Sequence, residues 1–336
     1  MAAGVLCFEC SKYSAMTTFL IIGGAGFIGS HLARALLGRG NRVHALVRES
    51  TDCARLNDII GKIDLHRGDL DDLPSLRRVF AEARPDVVFH LASAKKQKTG
   101  TAMFENARRA LRDVDGLLNV LAAAEQATRP PALLIRAGTL AEYGSGTHPY
   151  VEQQREKPVS AHAVGMITST HMSEVLQPKL SFPVITARLA IVYGPDQCRQ
   201  QLVQQLVENC TTGGITRVKY PDEERDFIHV DDVTNALILL SEKPPVSNRT
   251  INVATGHATT LREVAEIVKQ HANSPDGSVA YGSGTSPNGV RQGIGSPDLM
   301  LELYGWRAEI PLEEGLGELV QRHLAVDEVT NHGALA

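Results

Sequence analysis

Short apolar runs alternate with amphipathic stretches through the first two thirds of the chain. Residues 18–23 are apolar, end in glycines and predict a buried strand. The next stretch puts Ile28, Leu32, Ala33, Leu36 and Leu37 on one face of a helix. A second strand is predicted over residues 41–47, and a third closes at Gly68-Asp69-Leu70. A helix over 69–83 follows, then a strand over 86–92 built on the run Val87-Val88-Phe89. One or two helices are predicted over 101–127, a strand over 132–137, a helix over 163–177 and a strand over 184–192. Strands alternating with helices imply parallel β-α-β units, hence an α/β fold with a doubly wound parallel sheet.

After Gly194 the rhythm loosens. Helices are expected over 199–209, 232–241 and 261–271, with short strands over 228–230 and 250–253. Residues 273–297 are rich in Gly, Ser and Pro and read as loops. Two short helices, 298–304 and 312–324, finish the pattern. No internal repeat is present.

The chain has 336 residues, 43% of them hydrophobic and 21% charged, with a net charge of −4. This is the profile of a globular protein with room for a large nucleotide-binding domain and a smaller lobe. No long basic run is present, which argues against a nucleic-acid partner. No stretch is long enough to span a membrane. Residues 1–16 read as an extension: they lack a basic n-region, and the run from Val5 to Phe8 is too short for a signal peptide. Met16 is an alternative start. The five cysteines, Cys7, Cys10, Cys53, Cys198 and Cys210, are odd in number and scattered. That argues for a reducing cytoplasm rather than a disulfide framework. Cys7-x-x-Cys10 is a lone pair in a tail, and no metal site is expected.

The candidate chemistry begins at Gly23-Gly24-Ala25-Gly26-Phe27-Ile28-Gly29. Gly23, Gly26 and Gly29 allow a tight turn, close approach of backbone to a pyrophosphate, and close helix–strand packing. The first helical turn, Phe27 and Ile28 included, then faces the phosphates. This predicts a Rossmann dinucleotide-binding domain over 17–195 and 225–255. A small C-terminal α/β substrate lobe is expected over 196–224 and 256–336. The end of the second strand, Ala45-Leu46-Val47-Arg48-Glu49, has Val47 where an acid would hold a ribose 2′-OH. Arg48 can pair with a 2′-phosphate, so NADPH is the expected cofactor. NADH stays open if Arg48 is merely solvated and Glu49 contacts the ribose. Asp69 and Leu70 would meet the adenine, and Leu91, Ala92 and Ser93 would lie beneath the cofactor.

With these residues in view the chain resembles the extended short-chain dehydrogenase/reductases, epimerase/dehydratase branch. The likeness runs from about Thr17 to about Leu324. It includes Thr139-Leu140-Ala141-Glu142-Tyr143-Gly144, Arg188-Leu189-Ala190-Ile191-Val192-Tyr193-Gly194-Pro195 and Arg225-Asp226-Phe227-Ile228-His229-Val230-Asp231-Asp232-Val233. Asn252-Val253-Ala254-Thr255-Gly256 and Tyr304-Gly305-Trp306 complete it. The resemblance implies that Thr139 orients a reacting carbonyl and that Ala137, Leu189 and Ile191 lie beside the cofactor. It also implies a tyrosine and a lysine early in the helix after Pro158. In that register stand His162 and Met166. Methionine carries neither proton nor charge. An imidazole can act as a general acid near neutral pH, but it is shorter than a phenol.

Three functions fit these residues. The first is an NADPH-dependent ketoreductase acting on an aromatic ketone, with the proton supplied by a phenolic hydroxyl beside the carbonyl, by water or by His162. It resembles the ketoreductases of simocyclinone-type, angucyclinone polyketide antibiotic biosynthesis, which lack the Tyr/Lys pair. The second is a nucleotide-sugar 4-ketoreductase or epimerase. Against it, Lys219-Tyr220-Pro221-Asp222-Glu223-Glu224 lacks the Gly-Asp-Gly turn usual there and adds carboxylates near the phosphates. The third is a non-catalytic NADPH-binding sensor. A roomy apolar cleft, with walls expected from Met103, Leu140, Val192 and the loop 282–294, separates catalysis from sensing. The family also implies a homodimer through parts of 101–127 and 163–177.

Overall fold

A computed structural model describes residues 16–93, 102–245, 249–284 and 292–333. Cys7, Cys10 and the rest of the extension except Met16 lie outside them. The strands are β1 (Thr18–Ile22), β2 (Arg42–Val47), β3 (Asp64–Arg67), β4 (Val87–His90), β5 (Leu133–Thr139), β6 (Val184–Leu189) and β7 (Ile191–Tyr193). They continue as β8 (Thr216–Val218), β9 (Glu224–Arg225), β10 (Phe227–His229), β11 (Thr250–Val253), β12 (Thr259–Thr260) and β13 (Val279–Tyr281). The helices are α1 (Phe27–Gly38), α2 (Leu73–Ala83), α3 (Ala102–Glu125), α4 (Ala161–Leu176) and α5 (Leu202–Thr212). After these come α6 (Val230–Glu242), α7 (Leu261–His271), α8 (Asp298–Tyr304) and α9 (Leu312–Gly333).

Seven strands form one parallel sheet in the order β11-β6-β5-β4-β1-β2-β3. The chain winds outward from β1 in one direction and from β4 in the other. A crevice therefore opens where the ends of these two neighbours diverge. Both faces of the sheet are covered, so the inner strands are buried on both sides, with polar residues such as Arg136, Thr186 and Arg188 among the apolar ones. Phe19 and Ile21 of β1 enter a core with Leu32 and Leu36 of α1 and Leu237 of α6. Leu20 and Ile22 enter the opposite core with Leu76 and Phe80 of α2 and Leu117 and Leu121 of α3. A third core joins Leu206 of α5, Val264 and Val268 of α7 and Leu316 and Val320 of α9 to Val218 of β8 and Val279 of β13.

Several expected boundaries move; among them the helix expected over 199–209 lies at Leu202–Thr212, and that over 312–324 runs on to Gly333. The helix expected from residue 69 starts at Leu73, with Pro74 in its first turn, where a missing N–H costs nothing. Asp69–Asp72 thus stays in a loop. β5 runs two residues further, to Thr139. The strand expected over 184–192 breaks at Ala190, whose N–H donates to the Val253 carbonyl at 3.0 Å. Ile191 then turns its N–H to the Asp226 carbonyl at 2.9 Å, and β7 leaves the large sheet to pair with β10. The glycine-rich stretch 273–297 contains β13, which pairs with β8. Among the described residues no helix is long and apolar enough to cross a membrane.

Candidate functional site

Two cavities open along the carboxyl edge of the sheet. The larger, about 760 Å3, is lined by Gly23, Gly26, Leu46, Val47, Arg48, Asp69, Leu70, Leu91, Ala92 and Ser93, among others. Its floor is the turn between β1 and α1. Gly23 has φ +92°, and a side chain there would also strike the Ala92 backbone nitrogen at 2.9 Å. A Cβ on Gly29 would lie 2.3 Å from the Gly23 carbonyl oxygen, so helix and turn close up only because that position is glycine. Phe27, Ile28 and Gly29 form the first turn of α1 and are not among the lining residues. At the far end Arg48 is joined by Ser50, Thr51 and Arg55. Arg67 fixes this corner by donating to the Arg48 carbonyl at 2.8 Å. Glu49 is not among the lining residues. This cradle fits a dinucleotide: a side-chain-free turn against the phosphates, a hydrogen-bonding loop at Asp69 for the base, and hydroxyls and guanidinium groups beyond the ribose.

The second cavity, about 230 Å3, lies over the ends of β5 and β6. Its walls are mainly Leu140, Tyr150, Val159, Leu189, Ala190 and Ile191, with Thr139, Ser160 and Arg225 as polar members. Thr139 pairs with Leu189 across the two strands. The groove meets β4 at Leu91, next to β5, so the two cavities follow one another along adjacent strand ends.

Thr139 caps a short 3₁₀ turn, Leu140–Tyr143, in a capping box. Its hydroxyl oxygen accepts from the Ala141 N–H at 3.2 Å, and its own N–H donates to Glu142 Oε1 at 3.0 Å. Glu142 is buried and also accepts from Thr170 at 2.8 Å and Arg188 Nε at 2.8 Å. Arg188 donates further to Glu156 at 2.7 Å and lies over the Tyr143 ring at 4.3 Å. Burial opposes the Arg188 charge, but Glu142, Tyr143 and Glu156 outweigh it and hold its pKa above the ordinary value. Behind them the buried Arg136 donates to Thr170 at 2.8 Å and Thr186 at 3.2 Å. Burial lowers its pKa to about 10.

Two tyrosines stand near Thr139, and neither is poised to give up a proton. Tyr143 donates to Asn252 Oδ1 at 2.8 Å, and burial raises its pKa to about 12. Tyr150 borders the cavity but donates to the Gly144 carbonyl at 2.6 Å, and burial raises it to about 12 as well. His162 is exposed in the first turn of α4 and is not among the residues lining the cavity; Met166 is half-buried one turn on. By helical phase the two share a side with the buried Ser169 and Ser173, but at the open end of α4 the His162 side chain stays exposed.

The structure therefore gathers Gly23, Gly26, Arg48, Asp69, Leu70, Leu91, Ala92 and Ser93 around one groove. Thr139, Leu189 and Ile191 border the other cavity, and half-buried Ala137 borders neither. Of the expected cleft walls, Leu140 is present and the 282–294 loop contributes Gly293; Val192 is not a lining residue. The Met103 side chain and residues 285–291 lie outside what is described. Sequence reasoning missed Ser50, Thr51, Arg55 and Arg112 in the groove, and Tyr150, Val159, Ser160 and Arg225 in the cleft. The capping pattern at Ser160 was the one available signal. Tyr150 reaches the site through a long connection that carries no periodicity. Among the described residues no group of three or more His, Cys, Asp or Glu is placed to hold a metal ion.

Residues 19–254 match the model of the NAD dependent epimerase/dehydratase family. The chain is 23% identical to a dTDP-L-rhamnose 4-epimerase of Burkholderia thailandensis, covering 89% of this chain and 93% of that one. The UDP-glucose 4-epimerase of Thermotoga maritima, solved with UDP-glucose, superposes with a TM-score of 0.81 at 25% identity, over 92% of this chain and 99% of that one. The Thermus thermophilus UDP-glucose 4-epimerase in complex with NAD superposes with a TM-score of 0.76 at 26% identity, over 90% of this chain and 97% of that one.

Proposed function

Because the chain belongs to the NAD dependent epimerase/dehydratase family, we propose that it is an NADPH-dependent ketoreductase whose substrate carbonyl rests on Thr139. The observation that carries this reading is the succession of the two cavities, a glycine-floored groove leading to an apolar cleft with one strand-end hydroxyl. When bound, the nicotinamide supplies the hydride for a carbonyl carbon. The chain's own residues do the rest. Gly23, Gly26 and Gly29 admit the pyrophosphate. Arg48, with Ser50 and Thr51, would receive a 2′-phosphate, an arrangement that favours NADPH over NADH. Thr139 donates a hydrogen bond to the carbonyl oxygen, and Leu140, Val159 and Ile191 exclude water.

The finer substrate assignment is an inference from the acid groups near Thr139 among the described residues. Met166 cannot do the work of a lysine, and the two nearby tyrosine protons are engaged elsewhere. Losing a general acid typically costs about 10²–10⁴-fold, which a substrate offsets when it carries its own acidic hydroxyl beside the ketone. An aromatic polyketide ketone of the angucyclinone type has that arrangement and suits the apolar walls. The nucleotide-sugar reading is supported by the names of the relatives and by Arg225, a cation in the cleft wall. Arg225 is, however, paired with Glu223 at 2.6 Å.

A homodimer belongs to the same proposal. Phe104 and Leu111 of α3 and Val164, Met172 and Val175 of α4 are exposed apolar side chains on two helices that pack together. A second copy would cover them.

The test is NADPH oxidation against paired aromatic ketones with and without a neighbouring phenolic hydroxyl, and against dTDP- and UDP-4-keto sugars. Turnover confined to the hydroxylated ketones supports the proposal. Turnover confined to keto sugars replaces it with the second reading. NADPH binding with no turnover on any of them moves the protein to a non-catalytic sensor.

A further inference from the structure

Thr139 is not the one hydroxyl in the cleft. Ser160, the N-cap of α4, lines the same 230 Å3 cavity. Its oxygen accepts from the Ala163 N–H at 3.1 Å, as the Thr139 oxygen accepts from the Ala141 N–H at 3.2 Å. Each hydroxyl therefore has a lone pair committed to backbone and a proton left to give. Among the described residues neither side chain donates to a protein acceptor. The Tyr150 hydroxyl in the same wall is spent on the Gly144 carbonyl, and His162 is not part of the lining.

We propose that Ser160 is a second hydrogen-bond donor to the substrate's reacting oxygen, so that Thr139 and Ser160 together form a two-hydroxyl oxyanion site. The proposal rests on the reading that a carbonyl oxygen is held in this cavity. Two positioned donors stabilise an oxygen as it gains negative charge, and they do so without ionising. Both hydroxyls keep their protons. The proton that ends on the product oxygen comes from the substrate's neighbouring hydroxyl or from water, so the site functions with neither tyrosine nor lysine.

A phenolate is a stable stand-in for that charged oxygen, and 4-nitrophenol reports its own ionisation by absorbance. The experiment titrates 4-nitrophenol across pH with the full chain in the presence of NADP⁺, for wild type, Ser160→Gly, Ser160→Thr and Thr139→Ala. Glycine is chosen because helix N-caps tolerate it nearly as well as serine, so the fold is kept while the hydroxyl is removed. Wild type is expected to bind phenolate more tightly than phenol. Ser160→Gly and Thr139→Ala should each lose roughly tenfold or more in phenolate affinity, as for hydrogen bonds to a charged group, with neutral phenol little changed. Ser160→Thr should restore it. Absence of a phenolate preference in wild type, or an equal loss of phenol and phenolate in Ser160→Gly, overturns the proposal. A two-donor signature without turnover on any ketone leaves the donor pair standing and removes the redox reading. Turnover with unchanged phenolate affinity in Ser160→Gly removes the donor pair alone.

Discussion

Glu142 has no contact with water and serves three partners, the Thr139 N–H, the Thr170 hydroxyl and Arg188 Nε. It holds the residue that faces the cleft without facing the cleft itself. Removing one partner of a buried ion pair strands the other. Glu142→Ala is therefore expected to cost about 3–5 kcal/mol, read from the denaturant midpoint. An unshifted midpoint would show that Glu156 alone satisfies Arg188. Three buried histidines, His44, His90 and His229, have pKa values lowered by burial and contribute to the response to acid. Burial and the neighbouring Arg136 lower the His90 pKa to about 3, and burial lowers that of His44 to about 4. The unfolded chain takes up these protons near the ordinary 6.5. Stability is therefore full above about pH 6.5 and falls as pH drops towards these folded values. Melting temperature against pH should decline over that window, and His90→Phe should flatten the decline; an unchanged slope would exclude His90 as a source. Arg48→Ala should weaken NADPH by about tenfold to a hundredfold and leave NADH nearly unchanged, measured by fluorescence titration. Equal losses would remove the 2′-phosphate assignment.

At the scale of elements, α3 and α4 pack tightly where Gly165 faces Ala110, at a distance that leaves no room for a Cβ. Their outer sides carry the apolar stripe from Phe104 to Val175. Leu111→Glu with Val175→Glu is expected to convert a dimer to monomers in light scattering, since each charge would be buried twice across a symmetric contact. A mass unchanged by the double substitution would place any self-association elsewhere. These helices also show where reading the sequence succeeds. The 3.6-residue pattern predicts α1 and α7 closely, α3 resolves the one or two helices expected over 101–127 into one, and the residues of β11 are as expected. It fails at the split between β6 and β7, where Ala190 and Ile191 find backbone partners more than thirty residues away in sequence, at Val253 and Asp226. The apolar run there is continuous, so side-chain pattern cannot mark the break. The groove was legible because glycines and one arginine mark it locally. The cleft was less so, since Tyr150, Ser160 and Arg225 are brought together by connections without a period.

For the molecule as a whole, the two halves of the site differ in how much chain each needs. Among the described residues the groove takes its lining from between Ile22 and Arg112, whereas the cleft draws on residues from Thr139 to Gly293. On a ribosome adding roughly 5–20 residues per second, the last wall of the cleft emerges roughly ten to thirty-five seconds after the groove has been synthesised. The residues that line the groove are thus all synthesised before those that line the cleft. Chains stalled shortly after β5 should be protected from protease by NADP⁺; stalled chains indifferent to it would mean that the groove matures only when synthesis is finished.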